Sequence, residues 1–186
     1  DVYKRQVGNA PLIKKVYIPK YIFPLEKVMF AFVNMLFSMI ALVIMMGVTK
    51  LGIIGSAADL NISWTIVLFF IPMLYTLVFS LGLGLILAAV NVYFRDVGHL
   101  YSVWTMAWMY LTPIIYPMDI VEGTWVMNVI RLNPMYYFVT YFRDVVTNGT
   151  VPGLKTNLLC MGISLLFLVL GLWVFKKKQD RFILFI

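Results

Sequence analysis

Asp96 and His99 stand three residues apart, a spacing that sets both on one helical face and offers a carboxylate and an imidazole for general acid–base work. The competing reading of the same residues is a solvated turn in which Asp96 caps the helix that follows. His99 is the sole histidine, and Cys160, inside an apolar run, is the sole cysteine. A single cysteine cannot close an internal disulfide, and no Cys/His cluster has metal-ligand spacing. Nowhere does the chain carry the G-x-x-x-x-G-K-[S/T] order whose backbone cradles phosphates. No catalytic, metal or cofactor residue is therefore assigned to this chain, and if ATP drives it, another subunit must bind the nucleotide.

Two further groups of residues could do non-covalent work. Tyr101, Trp104 and Trp108 follow an i, i+3, i+7 pattern and form an aromatic stripe that ends near Tyr110, Pro113 and Pro117. Aromatic faces stack on the apolar faces of sugar rings, but they also pack helices and mark membrane interfaces. The two prolines free backbone carbonyls, which is tolerated where a region lines a cavity or is buried in protein, and they point to a bent, gating end. The second group is LIKKVYIPKYIFPL, residues 12–25, where Lys14, Lys15 and Lys20 alternate with apolar residues and Pro19 and Pro24 interrupt helix formation. It reads either as a docking element for a cytoplasmic partner or as a polybasic flank that fixes topology and touches anionic lipid.

The elements that position these residues follow from composition. Of 186 residues, 62% are hydrophobic and 12% charged, and the mean hydropathy is +0.92; a soluble domain has roughly 45–50% apolar and 25% charged residues. This is not a water-soluble globule. The net charge of +7 would suggest nucleic acid in a soluble chain, but too little polar surface remains here for that, and nucleic acid is excluded as a partner.

Charge-free intervals set the expected crossings, since a helix needs about 20 apolar residues to span the hydrocarbon. Four intervals qualify: 28–49, 60–94, 97–118 and 156–175. With residues 1–27 cytoplasmic and four crossings, the inner segments hold eleven basic residues, Lys4, Arg5, Lys14, Lys15, Lys20, Lys27, Arg95, Lys176, Lys177, Lys178 and Arg181. The outer segments hold four, Lys50, Arg131, Arg143 and Lys155. That asymmetry satisfies the positive-inside rule with both termini cytoplasmic. Splitting 60–94 into two crossings would put Lys176 to Lys178 outside, so one long helix kinked near Pro72 is expected. Residues 119–155 form a long outer segment. Within it the uncharged aromatic run 132–142, opened by Asn133-Pro134 and closed by Arg143-Asp144, is too short to cross and reads as a re-entrant helix or as an aromatic loop on the headgroups. Residues 176–186 form a basic cytoplasmic tail. The chain opens on Asp1 without the apolar core of a signal peptide and reads as a fragment.

Taken together, VGNAPLIKKVYIPKYIFPLEKV, FSLGLGLILAAVNVYFRDVGHL, LTPIIYPMD, LNPMYYFVTYFRDVV and GLWVFKKKQDRF resemble a known family. It is the membrane permease subunit of ABC-2 type exporters, in the branch that moves O-antigen, capsular polysaccharide or teichoic acid precursors outward. The resemblance runs from about Val7 to Phe182. It implies an all-α integral membrane protein of the bacterial cytoplasmic membrane, N-terminally truncated, whose four helices correspond to crossings three to six of a six-helix permease. It places a coupling helix at 8–24, with Lys14, Lys15, Tyr17, Ile18 and Pro19 docking on a separate ATPase subunit that holds ATP and Mg. It favours Tyr101, Trp104 and Trp108 as lining of the translocation path. It puts an outer gate of short re-entrant helices at Pro113, Pro117, Asn133, Pro134, Tyr137 and Arg143. The expected partners are the ATPase, a second copy of the permease, membrane lipid and a lipid-linked glycan.

Other classes stay open. An ABC-2 exporter of small molecules such as drugs would have similar helices. A non-transporting membrane enzyme would need acids, bases or metal ligands at the interface, and Asp119, Glu122, Asp144 and the Asp96–His99 pair are few. A passive channel or scaffold would need charged residues in the crossings, which hold no Asp, Glu, Lys or Arg.

Overall fold

The computed structural model describes residues 21–51, 64–94, 96–114, 116, 120–121 and 123–178, and among these every regular element is helical. Lys14, Lys15, Tyr17, Ile18 and Pro19, together with Arg95, Pro117, Asp119 and Glu122, lie outside the described residues.

Helix α1 spans Ile22–Lys50. Its proline, Pro24, falls in the first turn, where the missing N–H has no intrahelical partner to lose, so the helix takes in Glu26 and Lys27 instead of starting after them. At 29 residues it is about 44 Å long at 1.5 Å per residue. Next, Trp64–Phe69 winds as a 3₁₀ helix and leads directly into helix α2, Phe70–Tyr93. The change of winding comes just ahead of Pro72, whose carbonyl accepts from Thr76 Oγ1 at 2.8 Å. Helix α6, Leu154–Lys178, ends in three lysines, which suits the negative end of a helix.

These three helices are long and apolar enough to cross a membrane. Helix α3, Val97–Leu111, is shorter than the charge-free interval 97–118 implied. Pro113 accounts for the early stop: it disfavours helical backbone at the preceding residue, and Thr112 takes φ −97°, ψ 122°. The 15 residues reach about 22 Å, less than the roughly 30 Å of hydrocarbon a full crossing needs.

Between α3 and the last long helix the chain forms two short helices, which removes the aromatic-loop reading of 132–142. Helix α4, Val126–Arg131, precedes helix α5, Pro134–Val146. Asn133 starts α5 as an N-cap, with its side chain accepting from Met135 N, and proline follows at the first helical position. Arg143 and Asp144 do not close the helix as the charge pattern implied; they lie within its last turns, and it runs on to Val146. Gly149, at φ +64°, then turns the chain toward α6 in a conformation that side chains with a β-carbon rarely adopt.

Packing centres on α2 and α6. Phe79, Gly82, Leu85, Ala89 and Val92 form the buried face of α2, and Cys160, Ser164, Gly171 and Phe175 the buried face of α6. Both faces follow helical spacing, so one stripe of each helix is sealed while the rest is left for lipid or other protein. Phe138, Tyr141 and Val145, at i, i+3, i+7 on α5, press into the same core, with the Phe138 ring edge-on to Phe79 at 5.7 Å. Helix α5 is thus fixed to α2 and α6 by the core they share.

Candidate functional site

Helix α5 begins where α3 ends, and the junction is a short chain of hydrogen bonds. Thr112 Oγ1 donates to the Trp108 carbonyl at 2.8 Å. Asn133 Nδ2 in turn donates to Thr112 Oγ1 at 2.9 Å, and Asn133 Oδ1 accepts from Met135 N at 3.0 Å. Thr112 and Asn133 are both buried. A buried amide and hydroxyl that satisfy each other cost little, whereas either one left alone would be expensive. Ten residues further along α5, Arg143 Nη2 donates to the Ile114 carbonyl at 3.3 Å. The residues on either side of Pro113 are therefore held from α5, Thr112 through its hydroxyl and Ile114 through its carbonyl.

This brings together four of the six residues expected at an outer gate: Pro113, Asn133, Pro134 and Arg143. Tyr137 stands apart from them, with its ring edge-on to Tyr136 at 5.1 Å and packed against the Phe79–Phe138 core.

The aromatic stripe lies on a bare helix. No residue of α3 is buried, and the Trp104 and Trp108 rings meet at 5.4 Å on its surface. Tyr101 is also exposed. Through the Trp108 carbonyl this surface connects directly to the Thr112–Asn133 bond. Asp96 occupies the N-cap position of α3, but its side chain makes no capping hydrogen bond. The bond between Asp96 and His99 is a backbone one, His99 N donating to the Asp96 carbonyl at 3.1 Å; among the described residues no side-chain contact joins the carboxylate to the imidazole, and both residues are exposed.

A second polar cluster went unnoticed in the sequence. Asn157, in the first turn of α6, accepts through Oδ1 from Tyr141 OH of α5 at 2.9 Å and from Tyr75 OH of α2 at 3.2 Å. Burial raises the Tyr141 phenol above its ordinary value, which keeps it a donor at neutral pH. Nearby, Ser164 Oγ bonds to the Tyr75 carbonyl at 3.0 Å and to the Cys160 carbonyl at 2.7 Å. One amide thus joins three helices, α2, α5 and the first turn of α6. The available signal was an asparagine beginning an interval otherwise fit to cross a membrane, where an amide needs partners.

The described residues form a set of membrane-length helices with a short helical pair, α4 and α5, packed on them, and the features they assemble are exposed surfaces and a hydrogen-bonded joint. Residues 11–147 match the family described as ABC-2 type transporter. The chain belongs to that family. It is a multi-pass membrane protein of a transporter family. It is also 29% identical over 178 residues to the "O-antigen export system permease protein RfbA" of Klebsiella pneumoniae, a match that covers 95% of this chain and 64% of that protein. The protein of the same description from Myxococcus xanthus is 26% identical over 172 residues, covering 92% of this chain and 63% of the relative. The chain therefore spans a little under two thirds of the length of the curated relatives it matches.

Proposed function

We propose that this chain is the larger part of the permease subunit of an ATP-driven exporter that moves a lipid-linked polysaccharide of the O-antigen type outward across the bacterial cytoplasmic membrane. The observation that carries this reading is the likeness to O-antigen export permeases along more than nine tenths of the chain. The geometry is compatible with it. A glycan needs a surface it can slide along, and α3 presents two adjacent indoles and a tyrosine, with Trp104 and Tyr101 exposed and Trp108 partly so.

In this reading α3 supplies the fourth crossing, completed beyond its short helix by 112–118. The uncovered face of α3 meets a second copy of the permease, and the glycan passes between the two. The α4–α5 pair caps the outer end. A separate ATPase subunit binds ATP and Mg, and docks on Lys14, Lys15, Tyr17, Ile18 and Pro19. Its closure reaches the outer joint through rigid helices, which are the elements able to carry such motion.

The test is genetic and biochemical. The reading frame around this sequence is extended and the full-length protein is expressed with the product of the neighbouring gene in a strain deleted for its own O-antigen permease. Recovery of surface polysaccharide that depends on a Walker-type ATPase partner is the expected result. Turnover of a lipid-linked substrate by the permease alone would replace the proposal with an enzyme. Recovery of drug efflux without surface glycan would move the chain to the small-molecule branch.

A further inference from the structure

An apolar cavity of about 600 Å³ opens between α1, α2 and α5, in the size range of about 300–1,000 Å³ typical of small-molecule sites. Met35, Met39 and Met46 line it from α1, Met73 from α2, and Met135 and Phe138 from α5. A sugar would find almost nothing to bond to in it. Thr76 is on the wall, but its hydroxyl is already given to the Pro72 carbonyl. The exceptions are Thr147, a single hydroxyl at the rim, and Arg143, the one charged residue of the lining, which reaches the cavity beside Ile114.

The lining thus combines an apolar interior with one fixed cation. Among the described residues the Arg143 guanidinium makes one hydrogen bond, to the Ile114 carbonyl, which engages one of its five N–H groups. The neighbouring carboxylate, Asp144, accepts from Asn148 Nδ2 at 3.0 Å and does not line the cavity. Methionine is unbranched and polarizable, so a wall rich in it adapts to a flexible chain with no fixed shape. A guanidinium fork matches a phosphate better than any other side chain does. On one flank stands α1, whose remaining surface, with Phe30, Phe37, Ile40 and Ile44, is exposed and apolar and so faces bilayer.

We propose that this cavity holds one anionic phospholipid of the bilayer, with an acyl chain among Met35, Met39, Met73 and Met135 and its phosphate on Arg143. Charge and shape select this occupant. A zwitterionic phospholipid offers the same phosphate but brings a headgroup cation beside the guanidinium, which like-charge repulsion disfavours, and a soluble anion would leave the methionine walls empty. The lipid would bridge α1 and α5 and so fill the gap between a membrane-spanning helix and the outer pair. The inference does not depend on the cargo.

The experiment uses the full-length protein in nanodiscs of phosphatidylcholine doped with phosphatidylglycerol bearing a photoactivated diazirine midway along one acyl chain. Labelled peptides are read by mass spectrometry. The expected result is a severalfold excess of label on peptides containing Met39, Met73 and Phe138 over the outward face of α1. The matching phosphatidylcholine probe should lack that excess. Arg143→Gln should reduce phosphatidylglycerol labelling in the cavity to the phosphatidylcholine level, and Met39→Trp should lower labelling there for both probes. In each variant, labelling of Phe30 and Phe37 should stay constant, as it reports an intact helix in lipid. Label that is uniform over α1, or indifferent to headgroup and to Arg143→Gln, would overturn the proposal. So would displacement of the phosphatidylglycerol probe by an equimolar polyprenyl phosphate, which would assign the cavity to an isoprenoid lipid.

Discussion

Gly82 of α2 and Gly171 of α6 meet backbone to backbone. A β-carbon on Gly171 would lie 2.9 Å from Gly82 Cα, and one on Gly82 would run into the Phe167 carbonyl. Helices in a bilayer gain little from hydrophobic burial against each other, since lipid tails are equally apolar; close approach through small residues gives the van der Waals contact that holds them. The glycine pair therefore sets how near the two principal helices lie, and with that how the Phe79 and Phe167 rings come within 4.7 Å of each other, tilted by 59°.

Replacing Gly171 with leucine should force the two helices apart, at a cost of about 1–3 kcal/mol for overpacking a tight site. Gly47 of α1 is the control, because a β-carbon there meets nothing within 4 Å. Gly47→Ala should be neutral or stabilise by up to about 1 kcal/mol through helix propensity. Thermal unfolding of the full-length protein in detergent, monitored by monodispersity, checks the opposite signs.

Asn157→Leu should remove the acceptor shared by Tyr75 and Tyr141 and leave two hydroxyls without it. A loss of about 1–3 kcal/mol is expected, the cost of orphaned buried donors. Adding Tyr75→Phe and Tyr141→Phe to Asn157→Leu should recover part of that loss, because no donor is then stranded. Unfolding midpoints of the single, double and triple variants test it, and additive losses would contradict the shared-acceptor geometry.

The long helices were legible because lipid imposes a simple pattern: absence of charge over 20 or more residues marks a helix long and apolar enough to cross, and Lys176 to Lys178 mark where the last one ends. The same criterion gave no sign that α3 would stop at Leu111, since interval length takes no account of Pro113 and of what it does to the backbone of Thr112. It also ended α5 too soon, because Arg143 and Asp144 are compatible with the side of a helix whose other face, Phe138, Tyr141 and Val145, is in the core. Which polar group meets which is not encoded by periodicity. Thr112 and Asn133 are 21 residues apart and Tyr75 and Asn157 are 82 apart, so neither bond leaves a local trace. For the gate, the proline-flanked sites were readable as exceptional, while the Thr112 hydroxyl that links them looked like any other threonine.

Asn133 does two jobs that substitutions can separate. Asn133→Asp keeps an acceptor for Met135 N but loses the N–H that reaches Thr112, whereas Asn133→Ala loses both. The alanine variant should cost about 1 kcal/mol more than aspartate from the lost cap. A double-mutant cycle with Thr112→Val should give a coupling of about 0.5–3 kcal/mol for Asn133→Ala, as expected of direct contacts. Zero coupling in unfolding experiments would mean that α3 and α5 are joined elsewhere.

The indole pair on α3 offers the clearest separation of transport from stability. Trp104 is 59% exposed and its helix has no buried residue, so truncation removes little packing within the chain. Surface substitutions of this kind usually change stability by less than about 0.5 kcal/mol. If the rings carry a glycan, losing one aromatic face worth roughly 0.5–1.5 kcal/mol should weaken the apparent affinity about two- to tenfold. Trp104→Ala and Trp108→Ala are then expected to slow export or shorten the surface polysaccharide at unchanged membrane abundance, with Trp→Phe at either site retaining most activity. Gel profiles of surface glycan, taken beside the permease level in the membrane, read both quantities. Normal export with a reduced permease level would instead assign the indoles to packing against a second copy.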